Sequence, residues 1–345
     1  MKALVAMSGG VDSAVAAYLT KSAGLEVLGS TLVLLEGDDG SNCRDAQSIC
    51  RQLDIPFLPL AMEESFAQKV ICPFIAAYEQ GATPNPCVLC NRNLKFGALL
   101  EKSLELGCEK LVTGHYARVV RENGRFLLKK GLDESKDQSY VLYCLNQQQL
   151  SHIWLPLGEM TKAQARAIAQ EQGFVSANRP DSQDICFIPD GDYAAFIRGK
   201  TGRDYPQGDF VDPQGKVLGR HKGLIHYTVG QRRGLGVSAA QPLYVQQLDI
   251  PQNRVVLCTK QELFRQELVA DDFHWIAFDA PPQRVPCKAR CRYHQPEQDA
   301  VAIPREDGTV LVRFLEPQRA ITPGQAVVLY DGDTVLGGGT IRQVL

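Results

Sequence analysis

Residues 2–13 read Lys2-Ala3-Leu4-Val5-Ala6-Met7-Ser8-Gly9-Gly10-Val11-Asp12-Ser13: an apolar β-like run, a turn of two glycines between hydroxyls, then the start of a helical pattern. The helical pattern continues over 12–23, closes at Gly24 and gives way to a second apolar run at 26–35. That is βαβ grammar, and it implies a parallel sheet. In such a sheet the turn from first strand to first helix presents backbone amides and a helix N-terminus to an anion. Gly9 and Gly10 let the backbone close around a phosphate, and Ser8 and Ser13 add hydroxyl donors. The triphosphatase pattern G-x-x-x-x-G-K-[ST] is absent, and no lysine follows in the loop to hold a transferring γ-phosphate. A loop gripping the pyrophosphate end suits cleavage between the α and β phosphates, with Asp12 as a magnesium partner directly or through water. An ordinary glycine turn before a buried helix has the same local composition.

Working outward, the alternation continues with a helix near 45–53, a run at 56–60, helices near 64–78 and 92–106, and a strand at 110–113. Residues 118–130, with Asn123-Gly124 at the centre, predict a hairpin. Thr161 starts a helix that ends at Gly173, and another helix is expected at 192–198. Beyond residue 199 the chain turns to short β-rich runs at 211–218, 243–248, 254–258, 284–293, 309–314 and 326–330, with frequent Gly and Pro. That spacing suggests small barrels or sandwiches.

The 345 residues are enough for two or three domains, and 44% hydrophobic content against 22% charged excludes a mainly disordered chain. A net charge of -2 excludes binding of nucleic acid or anionic membrane by bulk charge, so a polyanion must be held by local patches. No apolar run approaches a membrane span and the start carries no signal-like segment, so the reading is a soluble, cytoplasmic protein without a membrane partner.

Eleven cysteines without secretory features argue against a disulfide framework. In Thr83-Pro84-Asn85-Pro86-Cys87-Val88-Leu89-Cys90-Asn91, two prolines stiffen the approach to a Cys-x-x-Cys pair. A third candidate, Cys186, sits in Asp181-Ser182-Gln183-Asp184-Ile185-Cys186-Phe187. Three readings compete: inert buried thiols, a zinc site short of a fourth ligand, or a reactive-sulfur or iron-sulfur site.

The Ser8 to Ser13 loop resembles the PP-loop of the N-type ATP pyrophosphatases. Taken with Thr83 to Asn91, Thr113-Gly114-His115-Tyr116-Ala117-Arg118, Lys136-Asp137-Gln138-Ser139-Tyr140, Leu157-Gly158 with Thr161-Lys162, Asp181 to Phe187, His226 to Gly236 and Thr322-Pro323-Gly324-Gln325, the chain resembles the tRNA-specific 2-thiouridylase family end to end. The resemblance implies an α/β fold: a parallel-sheet, adenine nucleotide alpha-hydrolase-like (PP-loop) N-terminal domain over 1–199, a small central tRNA-binding domain over 200–262 and a C-terminal β-barrel over 263–345. It implies that ATP adenylates the C2 oxygen of a wobble uridine and that sulfur then displaces AMP.

By the same resemblance, Ala6, Met7, Ser8, Gly9, Gly10, Val11, Asp12, Ser13, Leu32 and Gly114 line the ATP site. Asn85, Pro86 and Cys87 flank an extruded base. His115, Lys136, Asp137, Gln138, Arg290, Cys291 and Gln325 contact tRNA; Arg232 and Arg233 are candidates to track phosphates, and Lys288, Arg290 and Arg292 alternate on one face. Cys90 is the expected nucleophile and Cys186 the expected persulfide carrier. Many members carry Asp-x-x-Cys, whereas Cys87 stands at the Asp position here. Cys87, Cys90 and Cys186 thereby resemble the variant thiolases that hold a 4Fe-4S cluster with one iron free of protein ligands. The expected cofactors are ATP, magnesium and that cluster. The expected partners are tRNAs for Glu, Gln and Lys and a sulfur donor protein or sulfide. Two other classes stay open: a PP-loop enzyme adenylating a small carboxylate or amide, and a non-catalytic RNA-binding iron-sulfur protein.

Overall fold

The computed structural model describes residues 1–35, 40–179 and 185–345, so the first four residues of the Asp181 to Phe187 motif lie outside the described residues. The N-terminal sheet is built from β1 (Lys2–Ala6), β2 (Glu26–Val33), β3 (Phe57–Ala61), β4 (Lys110–Val112) and, after a hairpin, β7 (Ile153–Trp154). Its order is β3-β2-β1-β4-β7, all parallel, with β1 at the centre. Ala3, Leu4 and Val5 have no exposure, as expected of a strand covered on both faces. The helix α1 (Val11–Ser22) buries Ala14, Val15, Ala16 and Ala17 against one face.

The hairpin strands β5 (Ala117–Glu122) and β6 (Arg125–Lys130) turn at Asn123 and Gly124, both with positive φ, as an Asn-Gly turn requires. A second, four-stranded sheet comprises β8 (Gly208–Val211), β9 (Val217–His221), β10 (Tyr244–Asp249) and β11 (Arg254–Cys258). The run expected as one strand at 211–218 is two. Asp212-Pro213-Gln214-Gly215 folds back on itself, with the Asp212 carboxylate accepting from the amides of Gln214 and Lys216.

The C-terminal strands are β12 (Phe264–Trp275), β13 (Val285–Arg290), β14 (Gln298–Pro304), β15 (Val310–Arg319), β16 (Ala326–Asp331) and β17 (Thr334–Val344). They follow the order β12-β15-β14-β13-β16-β17, and β12 also pairs with β17, which closes the barrel. The hairpin attaches to its outside through Lys129 and Thr334. Half-buried charge seals this junction: Glu297 accepts from Lys130 at 2.7 Å and Arg290 at 2.9 Å, and both cations lie over the Tyr330 ring. No helix among the described residues is long and apolar enough to cross a membrane.

Burial holds His115, His221, His226 and His274 below the ordinary imidazole range. The unfolded chain takes up protons near pH 6.5 that the folded chain refuses, so it binds more protons and stability falls as pH drops below that value. The denaturation midpoint is therefore expected to be lower at pH 5.5 than at 7.5, and an equal midpoint would contradict burial of the four rings as neutral species.

Candidate active site

The nucleotide loop forms where β1 ends. Gly9 has φ +76, and a side chain there would meet the Asn42 carbonyl oxygen at 2.7 Å, so glycine is required twice over. The Ser13 hydroxyl accepts from the Ser8 amide at 3.1 Å and donates to the Gly10 carbonyl, which fixes the loop shape. No side chain caps α1, so its first amides stay available to an anion. Gly114 closes the floor: a methyl group there would lie 2.7 Å from the backbone carbonyl carbon of Asp12. Leu32, half-buried on β2, borders the same end of the sheet.

The lysine missing from the loop arrives from far along the chain. Lys162 begins the helix Lys162–Glu171, which is capped by reciprocal bonds between Thr161 and Gln164. Its ammonium donates to both Asp12 carboxylate oxygens at 2.7 and 2.9 Å, and the Tyr116 hydroxyl donates to one of them at 2.8 Å. Asp12 therefore presents an occupied carboxylate. A magnesium ion reached through water fits this arrangement better than one bound directly.

Cys87 and Cys90 sit on a short helix, Pro86–Cys90, at the end of the approach that the prolines stiffen. Asn85 is the N-cap, accepting from the Cys87 amide at 3.1 Å, and Pro86 takes the first helical position. After Pro86–Cys90 the helix continues as a π-helical stretch, Asn91–Ala98. Residues five apart lie about 140° apart around an α-helix. Bonding from i to i+5 returns the fifth residue to the same side, and this carries Lys95 round to the cysteines.

Lys95 lies within electrostatic reach of Cys87, Cys90, Cys186 and His115. All three thiols are raised chiefly by desolvation, Cys186 to about 11, with the neighbouring thiols adding to the rise at Cys90 and Cys186 and Lys95 opposing it throughout. Cys87 and Cys186 keep exposed surface despite this desolvation, whereas Cys90 is buried. β4 joins the two halves of the site: its continuation carries Gly114 against Asp12 and His115 toward Lys95. The His115 ring is buried, bonded to the Thr113 hydroxyl at 2.7 Å and packed on Phe96. It can line the site as a neutral group, but it is not a cation for phosphate.

Several residues expected on the RNA surface have side chains engaged within the protein. Asp137 is buried, accepting from the Gly131 and Ser139 amides and the Ser139 hydroxyl. Arg290 is committed to Glu297 and Tyr330, and Cys291 is a barrel-core thiol pushed up to about 12 by burial. Arg292 donates to the carbonyls of Val229 and Ala320, so it leaves the alternating face to which Lys288 still belongs. Gln138 accepts from the Tyr116 amide, and Gln325 donates to Thr83. Lys136 is half-buried, and Arg232 and Arg233 are exposed. Lys162, Tyr116 and Lys95 were not predicted as site residues. Thr161-Lys162 after Leu157-Gly158 was the signal available for the first of them.

A parallel sheet with a glycine loop at its central strand, followed by two β units, defines a PP-loop nucleotide-binding protein of the HUP class carrying a PRC-type domain and a β-barrel. Residues 1–190 match the model described as "tRNA methyl transferase HUP domain", 195–259 the "tRNA methyl transferase PRC-barrel domain", and 265–341 the "Aminomethyltransferase beta-barrel domain". The tRNA-specific 2-thiouridylase MnmA of Acetivibrio thermocellus is 45% identical, with 99% of each chain covered. A relative from Caldanaerobacter subterraneus subsp. tengcongensis, tRNA-specific 2-thiouridylase MnmA 1, is 47% identical over 99% of this chain and 98% of its own. The chain belongs to the tRNA-specific 2-thiouridylase family.

Proposed function

We propose that this protein is a tRNA-uridine 2-sulfurtransferase. ATP adenylates the C2 oxygen of a wobble uridine with release of pyrophosphate. Sulfur then attacks C2, the bond to the activated oxygen breaks, and AMP leaves with that oxygen to give 2-thiouridine. The observation that carries the reading is one continuous site in which an uncapped helix N-terminus with Asp12 and Lys162 adjoins three thiols through Gly114 and His115. Activation converts a poor oxygen leaving group into AMP, and a soft sulfur nucleophile completes the exchange. Asn85, Pro86 and Cys87 flank the extruded base, while Lys136, Arg232, Arg233 and Gln138 form the RNA-facing set. The tRNAs for Glu, Gln and Lys are the expected substrates, with sulfide or a donor protein as the sulfur source.

Among the described residues, no three side chains converge as ligands of a single metal ion. Cluster irons can take one thiolate each, and Cys87, Cys90 and Cys186, which lie within electrostatic reach of one another, fit that demand. When bound, such a cluster would offer hydrosulfide an iron free of protein ligands. After anaerobic reconstitution with iron and sulfide, Cys87→Ala is expected to lose the visible absorbance and bound iron that wild type and Cys258→Ala retain. Wild type that takes up no iron, and that thiolates tRNA equally with Cys87→Ala only when a persulfide-carrying donor protein replaces sulfide, would instead assign a persulfide route through Cys186 and Cys90.

The function is tested by supplying wild type with unmodified tRNA, ATP and sulfide and measuring AMP and 2-thiouridine together. ATP-pyrophosphate exchange driven by a small carboxylate without tRNA would replace this reading with a metabolite-adenylating enzyme. Wild type that forms no AMP, with RNA binding that survives Asp12→Ala, would identify a catalytically silent RNA-binding protein.

A further inference from the structure

The segment leading into the cysteine helix is held from two sides. Gly81, with φ +74, packs so closely on the second sheet that a side chain would come within 2.9 Å of Ile250. Two residues later, both backbone groups of Thr83 are taken by the barrel. Its amide donates to the Pro323 carbonyl at 2.9 Å, and its carbonyl accepts from the Gln325 side-chain amide at 2.7 Å. Gly324, at φ +88, brings the barrel turn so near that a methyl group there would lie 2.9 Å from both the Ala82 Cβ and the Thr83 nitrogen.

The turn is itself rigid. Gly324 donates to the Ile341 carbonyl and Ile341 donates back to the Gln325 carbonyl, each at 2.8 Å, which ties it to β17. Arg292 also donates to Thr322, whose hydroxyl opens the turn, while joining it to Val229. From Thr83 onward the chain has little freedom to dissipate a displacement. Pro84 restricts Thr83, Pro86 fixes the first helical residue, and Asn85 is spent as the cap of the helix bearing Cys87 and Cys90.

We propose that the barrel turn Thr322-Pro323-Gly324-Gln325 is a clamp that sets the position of the cysteine helix, and that Gln325 is a positioning residue for sulfur transfer acting through Thr83. This rests on the sulfurtransferase reading above. It assigns Gln325 a role different from direct RNA contact, because its amide nitrogen is aimed at Thr83.

Gln325→Met keeps the side-chain length without the amide, and Gln325→Glu replaces the donor with an oxygen that repels the Thr83 carbonyl. The side chain is half-buried, and the two replacements differ enough that failure of one to fold leaves the other. Both are expected to lower kcat for tRNA thiolation by about tenfold to a hundredfold, as small misplacement of reacting groups does. Dissociation constants for tRNA and for a non-hydrolysable ATP analogue should stay within about twofold, since the group replaced is the one bonded to the Thr83 carbonyl. Amide exchange at Thr83 and alkylation of Cys87 should both quicken without RNA present. A loss of tRNA affinity on the scale of the kcat effect, or unchanged kcat with unchanged exchange, overturns the clamp. If wild type itself fails to thiolate tRNA, the functional reading fails, and the clamp is then decided by exchange and alkylation alone.

Discussion

Lys162→Met is expected to lower ATP-dependent AMP formation by about a hundredfold to a thousandfold, the usual effect of deleting one group aimed at developing phosphate charge. The buried ammonium stands beside the uncapped N-terminus of α1, where the pyrophosphate end of ATP is expected. The loop contains no lysine of its own, so nothing in the loop replaces this charge. Methionine retains most of the stem but removes the ammonium that lies 5.7 Å over the Tyr116 ring, so the loss is electrostatic. Asp12 also loses its nearest cation, which costs some stability in a half-buried pair. Affinity for tRNA should hardly change. Intact AMP formation and ATP affinity in the variant would reduce Lys162 to an anchor for its own helix.

Gly158→Ala carries the largest expected cost in stability, about 3 kcal/mol or more, because the added methyl cannot be relieved by a side-chain rotation. It would lie 1.9 Å from the Ala117 carbonyl oxygen and 2.5 Å from the carbonyl carbon. Ala117 begins β5 and is fixed by pairing with Lys130, while Gly158 is held by the Leu132 amide donating to its carbonyl. The backbone has no cheap direction in which to retreat. Gly199→Ala provides the contrast: it lies within the helix Tyr193–Thr201 with nothing near its Cβ position and should gain about 0.5 to 1 kcal/mol. Thermal unfolding of the two variants beside wild type checks both signs, and an unchanged transition in Gly158→Ala would mean the two backbones can separate freely.

Legibility in the sequence followed the range of the interactions. Gly9, Gly10, Ser13 and the β1 pattern are local, and the parallel fold and nucleotide loop were readable from them. Lys162 meets Asp12 across 150 residues, and no periodicity encodes that meeting. The π-helical register that turns Lys95 toward Cys90 is a one-residue departure from a helix otherwise foreseen near 92–106, and residue propensities do not mark it. In the barrel, β12, β14 and β17 were missed. The bulges of β12 break its alternation, and Gly337, Gly338 and Gly339 dilute the strand pattern of β17, in which they lie. Their lack of side chains makes room for Tyr143 and the β12 backbone. Asp137 and Arg290 were expected as tRNA contacts from motif position alone. Only the packed structure shows that their side chains are spent within the protein.

The hairpin that flanks the nucleotide site finishes its pairing with the last strand of the chain, Lys129 against Thr334. On a ribosome adding residues at ordinary rates, the outer edge of β6 waits about 10 to 40 s before its partner is synthesised. For most of that interval Lys130 lacks Glu297, and throughout it the hairpin edge is open, so the nascent catalytic half is the stage most exposed to wrong pairing. Completion of the catalytic half is thereby tied to arrival of β17, and a chain ended before Thr322 lacks both the cover for this edge and the turn that holds Thr83.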